Sequence, residues 1–270
     1  MLLPPAAIGA ADTVVVESTY GNRSHGDADP VEELADAIRR TAARGGTVII
    51  PSFAVDRTEV LLFHLRQLMA EERVPNLPVY VDSPMALAAL AVYREAVARR
   101  SAELRPEVLA GNLDPFDIGT LTEVRDVEES KKLHGNRFPS IIISASGMAT
   151  GGRVLHHLAN RLPDNRNAVL LAGFQAAGTR GRRLADGERQ IKLLGRYVPV
   201  KAEIVNLPAL SVHADRDEIV QWLGTATREP ATTFVVHGES EACESLRDAI
   251  ETSLEWTAVV PDYLERVRLD

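Results

Sequence analysis

The chain has 270 residues, of which 45% are hydrophobic and 25% are charged, and its net charge is −8. This composition is ordinary for one or two globular domains and excludes a disordered chain, a collagen-like repeat and a disulfide scaffold. No segment approaches the roughly 20 apolar residues of a membrane-spanning helix, and the N-terminal segment lacks the basic region of a signal peptide. Cys243 is the single cysteine, so we predict a cytoplasmic protein without a disulfide or a membrane partner.

The charge is unevenly distributed along the chain. Residues 151–201 contain ten Lys or Arg and three Asp or Glu, a net charge of +7, so the remainder carries −15. A basic stripe on an acidic protein suits a face that binds a polyanion. The alternative is a set of solvated helix faces, and the charge count alone leaves both interpretations open.

The hydrophobic pattern predicts strands and helices that alternate along the chain. In chain order, apolar runs predict strands at residues 13–16, 47–50, 78–81, 140–144, 168–171, 202–205 and 233–236. Helices are predicted from Asp29 and Pro30 to Gly45, after a cap at Asp56, near Pro84, and through Val154 and Leu158. The more polar residues 104–138 are predicted to form a helical excursion or surface insertion. This pattern indicates an α/β fold with a mainly parallel sheet flanked by helices.

Chemically versatile residues follow four of the predicted strands. Glu17 follows the first strand, a turn rich in glycine and hydroxyl groups at residues 146–153 follows the fourth, and His213 and His237 follow the last two. Functional groups of open α/β sheets collect beyond the carboxyl ends of the strands. These positions are therefore the candidate site residues.

The turn at residues 146–153 has features of an anion site. Backbone N–H groups at a helix N-terminus bind anions, and glycines let a phosphate approach closely. The candidate phosphate-binding residues are Ser146, Gly147, Thr150, Gly151, Gly152 and Arg153. Their spacing matches neither the P-loop nor the dinucleotide-binding fingerprint. The alternative is a turn that needs glycine only for its positive φ angles.

Glu17, His213 and His237 form a candidate catalytic group. A carboxylate beside an imidazole fixes its tautomer and raises its pKa, which suits a general acid, and a second imidazole suits a metal. A single histidine near a helix start is also a common structural residue. The histidines that show no metal-ligand spacing are His25, His64, His134, His156 and His157.

Seven motifs occur in a characteristic order along the chain. They are Glu17-Ser-Thr-Tyr-Gly21, Pro51-Ser-Phe-Ala-Val-Asp-Arg-Thr58, Val81-Asp-Ser-Pro-Met85, Ser144-Ala-Ser-Gly-Met-Ala-Thr-Gly-Gly-Arg153, Gly173-Phe-Gln-Ala-Ala-Gly-Thr-Arg-Gly-Arg-Arg183, Ser211-Val-His-Ala-Asp215 and Val236-His-Gly-Glu239. In this order they resemble the β-CASP proteins, which are metallo-β-lactamase-fold nucleases. These include ribonuclease J-like bacterial enzymes and the endonuclease subunit of the eukaryotic mRNA cleavage and polyadenylation factor. The resemblance extends from about Asp12 to the C-terminus.

The resemblance implies a role for each candidate residue. Glu17 would orient His213, His213 would be the general acid for the leaving oxygen, and His237 would bind zinc, of which the family holds two ions. RNA would be the partner, contacted by the turn at residues 146–153. The basic residues expected to line a cleft between two domains are Arg180, Arg182 and Arg183.

The resemblance also implies a domain division. Residues 20–207 would be the β-CASP cassette, and residues 1–19 and 208–270 would belong to a metallo-β-lactamase αββα domain, of which the chain carries the C-terminal part. The family's zinc motif H-x-H-x-D-H is absent from the sequence, and Asp12 is too close to Glu17 to be the bridging aspartate. We therefore expect an open apolar sheet edge and no RNA cleavage by this chain alone. A separate chain would supply the zinc-binding half, or the chain would form a homodimer.

The leading hypothesis is a zinc-dependent hydrolase that cleaves RNA phosphodiesters in RNA processing or decay. One alternative is a non-catalytic RNA-binding or scaffold protein of the same family. Another is a metallo-hydrolase that acts on a different phosphoester. The presence of Glu17, His213 and His237 favours an enzyme, because a scaffold has no need of them.

Overall fold

A computed structural model describes residues 1–26, 29–110 and 114–269 of the chain. The chain forms two compact units. The large unit comprises Met1–Leu3 and Ala28–Ser211, and the small unit comprises Pro4–Asp27 and Val212–Asp270. Each unit has its own parallel sheet and its own hydrophobic core.

The regular elements alternate along most of the chain, and each of the seven predicted strands is present. The strands are β1 (Thr13–Glu17), β2 (Thr47–Pro51), β3 (Val79–Val81), β4 (Leu121–Glu123), β5 (Ser140–Ser144), β6 (Ala168–Ala172), β7 (Gln190–Leu193), β8 (Arg196–Pro199), β9 (Glu203–Leu207), β10 (Thr232–Val236) and β11 (Ala258–Val259). The helices are α1 (Pro30–Ala43), α2 (Arg57–Ala70), α3 (Pro84–Ala98), α4 (Pro106–Leu109), α5 (Val127–Leu133), α6 (Val154–Arg161), α7 (Arg180–Ala185), α8 (Arg216–Leu223) and α9 (Ser240–Leu254), with a 3₁₀ turn at Pro208–Leu210.

The large unit is built on a six-stranded parallel sheet in the order β4-β3-β5-β2-β6-β9. Every residue of β2, β5 and β6 is buried. Val48 and Ile50 face a core that includes α1 and α2, whereas Ile49 faces a second core that includes α6. A sheet covered on both faces requires continuous apolar strands, which is why the apolar runs predict this α/β architecture correctly.

The prediction that residues 104–138 form a helical excursion or surface insertion is wrong in part. The region contains α4 and α5, but it also contains β4, which pairs with β3 and adds an edge strand to the large sheet. β4 has three residues and lacks a continuous apolar run. Its strand conformation therefore depends on pairing with β3, a contact that local sequence does not specify.

The predicted side-chain cap at Asp56 is also wrong. Asp56 stands at the N-cap position of α2, but its φ is 65° and its carboxylate accepts no capping hydrogen bond. The Asp56 carboxylate instead accepts a hydrogen bond of 2.8 Å from the hydroxyl of Tyr93. Asp29 does cap α1 as predicted, because its side chain accepts from the backbone N–H of Val31.

The small unit is built on a three-stranded parallel sheet in the order β1-β10-β11. One face packs against α8 and α9 through Leu223, Leu246 and Ile250. Among the described residues, β1 pairs only with β10 and so forms an edge of this sheet, in agreement with the open edge predicted from the sequence. The side chain of Val15 lies on the sheet face opposite Val14 and Val16 and is 62% exposed.

Glu59 is a fully buried carboxyl group in the first turn of α2. Burial, with a smaller contribution from the Asp56 carboxylate, raises its pKa to about 7 from an ordinary value of 4.5. Between these two pH values the unfolded chain releases this proton while the folded chain keeps it. The free energy of unfolding therefore falls as the pH rises from 4.5 to about 7.

The substitution Glu59→Gln removes this titration. We expect the variant and the parent to have similar unfolding free energies near pH 4, and the variant to be more stable by roughly 1–3 kcal/mol near pH 8. Urea denaturation at both pH values measures the difference. Glu33→Gln, at an exposed position in the first turn of α1, is the control. An identical pH dependence in parent and Glu59→Gln would contradict the prediction.

Candidate functional site

Glu17, His213 and His237 lie together in the small unit, as the sequence predicts. Glu17 ends β1 and pairs in register with Val236, so His237 follows immediately on the neighbouring strand. His213 precedes α8, and its ring centroid lies 5.8 Å from that of His237. One ligand atom from each of the three side chains lies within 4.8 Å of the other two.

A hydrogen bond of 3.1 Å joins His213 Nδ1 to Glu17 Oε1. The backbone N–H of Thr19 donates to Glu17 Oε2 at 2.8 Å. Burial raises the pKa of Glu17, but the hydrogen bonds from His213 and Thr19 outweigh burial and lower the pKa to about 2. Glu17 is therefore an anion at neutral pH, and it holds the proton of His213 on Nδ1.

Thr19 belongs to the site, although the sequence analysis does not single it out. Its hydroxyl lies 3.2 Å from the backbone carbonyl of His237, to which it donates, and 3.3 Å from His237 Nδ1. A hydroxyl has one hydrogen, so when it donates to the carbonyl it can only accept a hydrogen bond from Nδ1–H. In this arrangement Nε2 of His237 carries no proton, and an unprotonated ring nitrogen can bind a metal. The signals for Thr19 in the sequence are its position two residues after Glu17 and its place in the motif Glu17-Ser-Thr-Tyr-Gly21.

A close backbone approach fixes the end of β10. The hydroxyl of Ser18 donates to the carbonyl of Val236 at 2.8 Å and contacts Cys243 Sγ at 3.1 Å. A Cβ atom on Gly238 would lie 2.4 Å from Ser18 Oγ and 2.7 Å from the Ser18 carbonyl oxygen. Only glycine fits here, and its small size lets the strand end carry His237 beside β1.

A second group of possible metal ligands comprises His25, Asp215 and Glu218. Asp215 accepts from the backbone N–H of Glu218, and Glu218 accepts from the backbone N–H of Asp215. These reciprocal bonds are a capping box at the start of α8. The group therefore stabilises a helix terminus that carries His213 toward the site.

Packing in the turn at residues 146–153 requires glycine at two of its three glycine positions. A Cβ atom on Gly147 would lie 2.7 Å from the ring of Phe53. Gly152 has a φ of 78°, and its Cβ would lie 2.7 Å from the carbonyl oxygen of Ala145. A Cβ on Gly151 would meet no atom within 4 Å. Gly147 and Gly152 thus shape the turn before α6, whereas Gly151 is not sterically constrained.

The hydroxyl groups of the same turn are paired with each other. Ser146 Oγ lies 2.9 Å from Thr150 Oγ1 and accepts from the Thr150 N–H at 3.0 Å. Thr150 is exposed and Ser146 is half-buried. The pair stabilises the turn and keeps both hydroxyl groups at its surface.

Arg153 makes an ion pair with a buried carboxylate, a contact that the sequence pattern does not predict. Arg153 Nη1 donates to Asp82 Oδ1 at 2.7 Å, and Asp82 is fully buried. Ser130 Oγ at 2.5 Å and His157 Nε2 at 2.6 Å also contact this carboxylate. Burial raises the pKa of Asp82, but the bonds from His157, Ser130 and Arg153 lower it below its ordinary value. Arg153 is thus anchored in the core beyond the end of β3.

Arg180, Arg182 and Arg183 lie on α7 and have partners within the chain. Arg182 pairs with Asp186 at 2.9 Å, and Arg183 pairs with Glu188 at 2.5 Å. The guanidinium of Arg180 donates to the backbone carbonyls of Lys192 and Thr150, as two bonds of 2.9 and 3.0 Å show. The acidic residues of this segment therefore offset much of the positive charge on α7.

In the described parts of the chain, the structure contains no helix that is both long and apolar enough to span a membrane.

Two protein families match the chain. Residues 58–184 match the Beta-Casp domain, and residues 197–261 match the Zn-dependent metallo-hydrolase RNA specificity domain. These matches agree with the parallel α/β fold of the large unit and with the histidine and glutamate cluster of the small unit. The chain is an α/β protein that combines a Beta-Casp domain with a Zn-dependent metallo-hydrolase RNA specificity domain. The chain belongs to the β-CASP family.

The chain is also similar to several longer proteins along most of its length. The chain is 37% identical over 240 residues to a ribonuclease of Thermus thermophilus, covering 88% of this chain and 53% of that protein. It is 30% identical over 259 residues to an RNase J-like protein of Methanocaldococcus jannaschii, covering 94% and 58%. It is 29% identical over 280 residues to the transcription termination factor FttA of the same archaeon, covering 99% and 44%. The chain spans about half the length of these relatives.

The fit of Gly238 against Ser18 can be tested by substitution. Gly238→Ala forces Cβ into the Ser18 backbone, so we expect a loss of stability of about 1–3 kcal/mol and weaker zinc binding, because His237 is displaced. Thermal unfolding and zinc titration measure the two effects. Gly26→Ala, where Cβ meets no atom within 4 Å, is the control and should change neither. A Gly238→Ala variant with parental stability would contradict the argument.

Proposed function

We propose that this chain is part of a zinc-dependent hydrolase that cleaves RNA phosphodiesters in RNA processing or decay. The observation that carries the proposal is the hydrogen bond between His213 and Glu17 beside His237. The names of two relatives, a ribonuclease and a transcription termination factor, support RNA as the partner.

Each residue of the cluster has a proposed role. Glu17 remains ionised and orients the imidazole of His213 through Nδ1. His213 then holds a proton for the leaving oxygen of the cleaved phosphodiester. His237 would hold a zinc ion through Nε2, and Thr19 fixes the tautomer that this requires. Zinc supplies Lewis-acid activation of the attacking water.

Two zinc ions need more ligands than this cluster contains. The three donor side chains are of the types that zinc prefers, but Glu17 and His213 are hydrogen-bonded to each other. We therefore propose that other ligands come from a segment or chain that adds a strand along the exposed edge of β1, or from a second copy in a homodimer. The chain alone would then bind zinc weakly and would not cleave RNA.

The proposed domain division keeps residues 20–207 as the β-CASP cassette, with residues 1–19 and 208–270 in the metallo-β-lactamase domain. The compact units resemble this division but have other boundaries, because the chain passes between them at residues 3–4, 27–28 and 211–212. The proposed RNA contacts on the cassette are Ser146, Gly147, Thr150, Gly151, Gly152, Arg153, Arg180, Arg182 and Arg183. We also propose a cytoplasmic location.

Zinc titration tests the role of His237. We expect His237→Ala to weaken zinc binding to the purified chain by about tenfold or more, because the proposed ligand is lost. Isothermal titration calorimetry measures the affinity. His156→Ala removes an exposed histidine outside the cluster and is the control. Equal affinities for parent and His237→Ala would contradict a ligand role.

RNA cleavage and binding test the remaining parts of the proposal. With zinc and an end-labelled RNA, we expect the purified chain to bind without cleaving. We expect its affinity to fall as salt rises from about 50 to 200 mM, since phosphate contacts release counterions. If the purified chain cleaves RNA with zinc and His213→Ala does not, the result would support a hydrolase in which His213 is catalytic. The same result would contradict the expectation that the chain alone is inactive. An affinity that does not change with salt would contradict phosphate contacts.

A further inference from the structure

The antiparallel hairpin of β7 and β8 presents one polar face to solvent. Ile191, Leu193 and Val198 point into a core of the large unit and anchor the hairpin. Leu194 and Gly195 form the two-residue turn, and both have positive φ angles, as type I′ hairpin turns require. The hairpin is therefore held firmly, and its outer face has a defined orientation.

An exposed aromatic ring lies beside a cation on this outer face. Tyr197 is 65% exposed and stands directly opposite Lys192 in the strand register. Side chains that are opposite each other on antiparallel strands have Cβ atoms about 5 Å apart. The phenol ring and the ammonium group therefore form one continuous surface, apolar at the ring and positively charged at the ammonium group.

The cations around this hairpin differ from those of α7. Residues 189–201 contain four cations and no acidic residue. The four are Arg189, Lys192, Arg196 and Lys201. All four are exposed, and within the described residues none has an ion pair or a side-chain hydrogen bond. By contrast, Arg166 pairs with Asp164, and Arg182 and Arg183 have the acidic partners described above.

We propose that the outer face of this hairpin binds single-stranded RNA, with Tyr197 stacking against a base and Lys192 contacting a phosphate. The proposal rests on the proposed function, because it requires a chain that acts on RNA. Aromatic rings that stack on unpaired bases within a basic surface bind single strands without strict sequence preference. The hairpin thus extends the RNA contacts beyond the turn at residues 146–153.

The charge of the hairpin favours RNA over a second copy of this chain. A two-fold dimer formed through this face would place its cations against the same cations of the partner, with no acidic residue in residues 189–201 to neutralise them. A polyanion neutralises all of them. The exposed ring then gains a stacking partner and loses its contact with water.

Fluorescence anisotropy with a labelled single-stranded RNA of about 12 nucleotides tests the proposal across several salt concentrations. We expect Tyr197→Ala to raise Kd at least about fivefold with an unchanged salt slope, and Tyr197→Phe to stay within about twofold of the parent. Lys192→Ala should weaken binding and reduce the salt slope by about one. Tyr263→Ala and Arg166→Ala are matched controls for ring and charge, and they should leave Kd within about twofold.

Three results would overturn the assignment. If the parent binds RNA but Tyr197→Ala and Lys192→Ala behave like their controls, the hairpin is not an RNA surface, while the proposed function stands. If the parent does not bind RNA, both the hairpin assignment and RNA as the substrate fail. If sedimentation shows a dimer that Tyr197→Ala dissociates and RNA does not compete with, the face belongs to a second copy.

Discussion

The parallel pairing of β1 with β10 is the constraint on which the candidate site depends. It places Glu17 beside Val236, so His237 lies next to the Glu17 carboxylate although the two residues are 220 positions apart in the chain. The close contact of Gly238 with Ser18 holds this strand end, and Thr19 bridges the two strands by contacts to Glu17 and His237. A small change in this pairing would separate the donor atoms of the cluster.

Within the large unit, some cations have acidic partners and others have none among the described residues. The guanidinium of Arg153 neutralises the buried carboxylate of Asp82, and a charge buried without a partner is strongly destabilising. Arg182 and Arg183 have acidic partners on the surface. The cations of the hairpin have none within the described residues, so the net charge of +7 in residues 151–201 is concentrated where the acidic residues are absent.

The sequence predicts the fold wherever a segment is apolar enough to be buried on both faces. β2, β5 and β6 are such segments, and each is found where the apolar runs indicate. β4, β11 and the hairpin of β7 and β8 are not predicted, because they are short and gain their conformation from neighbouring strands. Likewise, the aspartate at the N-cap of α2 looks like a cap, but the hydroxyl of Tyr93 is its partner in the fold.

The sequence by itself determined the α/β alternation, the family and the three side chains of the cluster, because apolar runs and ordered motifs are local properties of the chain. Only the tertiary structure decided which of the predicted cations are neutralised, since Asp82 and Arg153 are 71 residues apart and meet through the sheet. The role of Thr19 in orienting His237 also depends on the tertiary structure, because the two residues are 218 positions apart in the chain. Contacts between distant residues depend on strand order and register, which a local pattern does not encode.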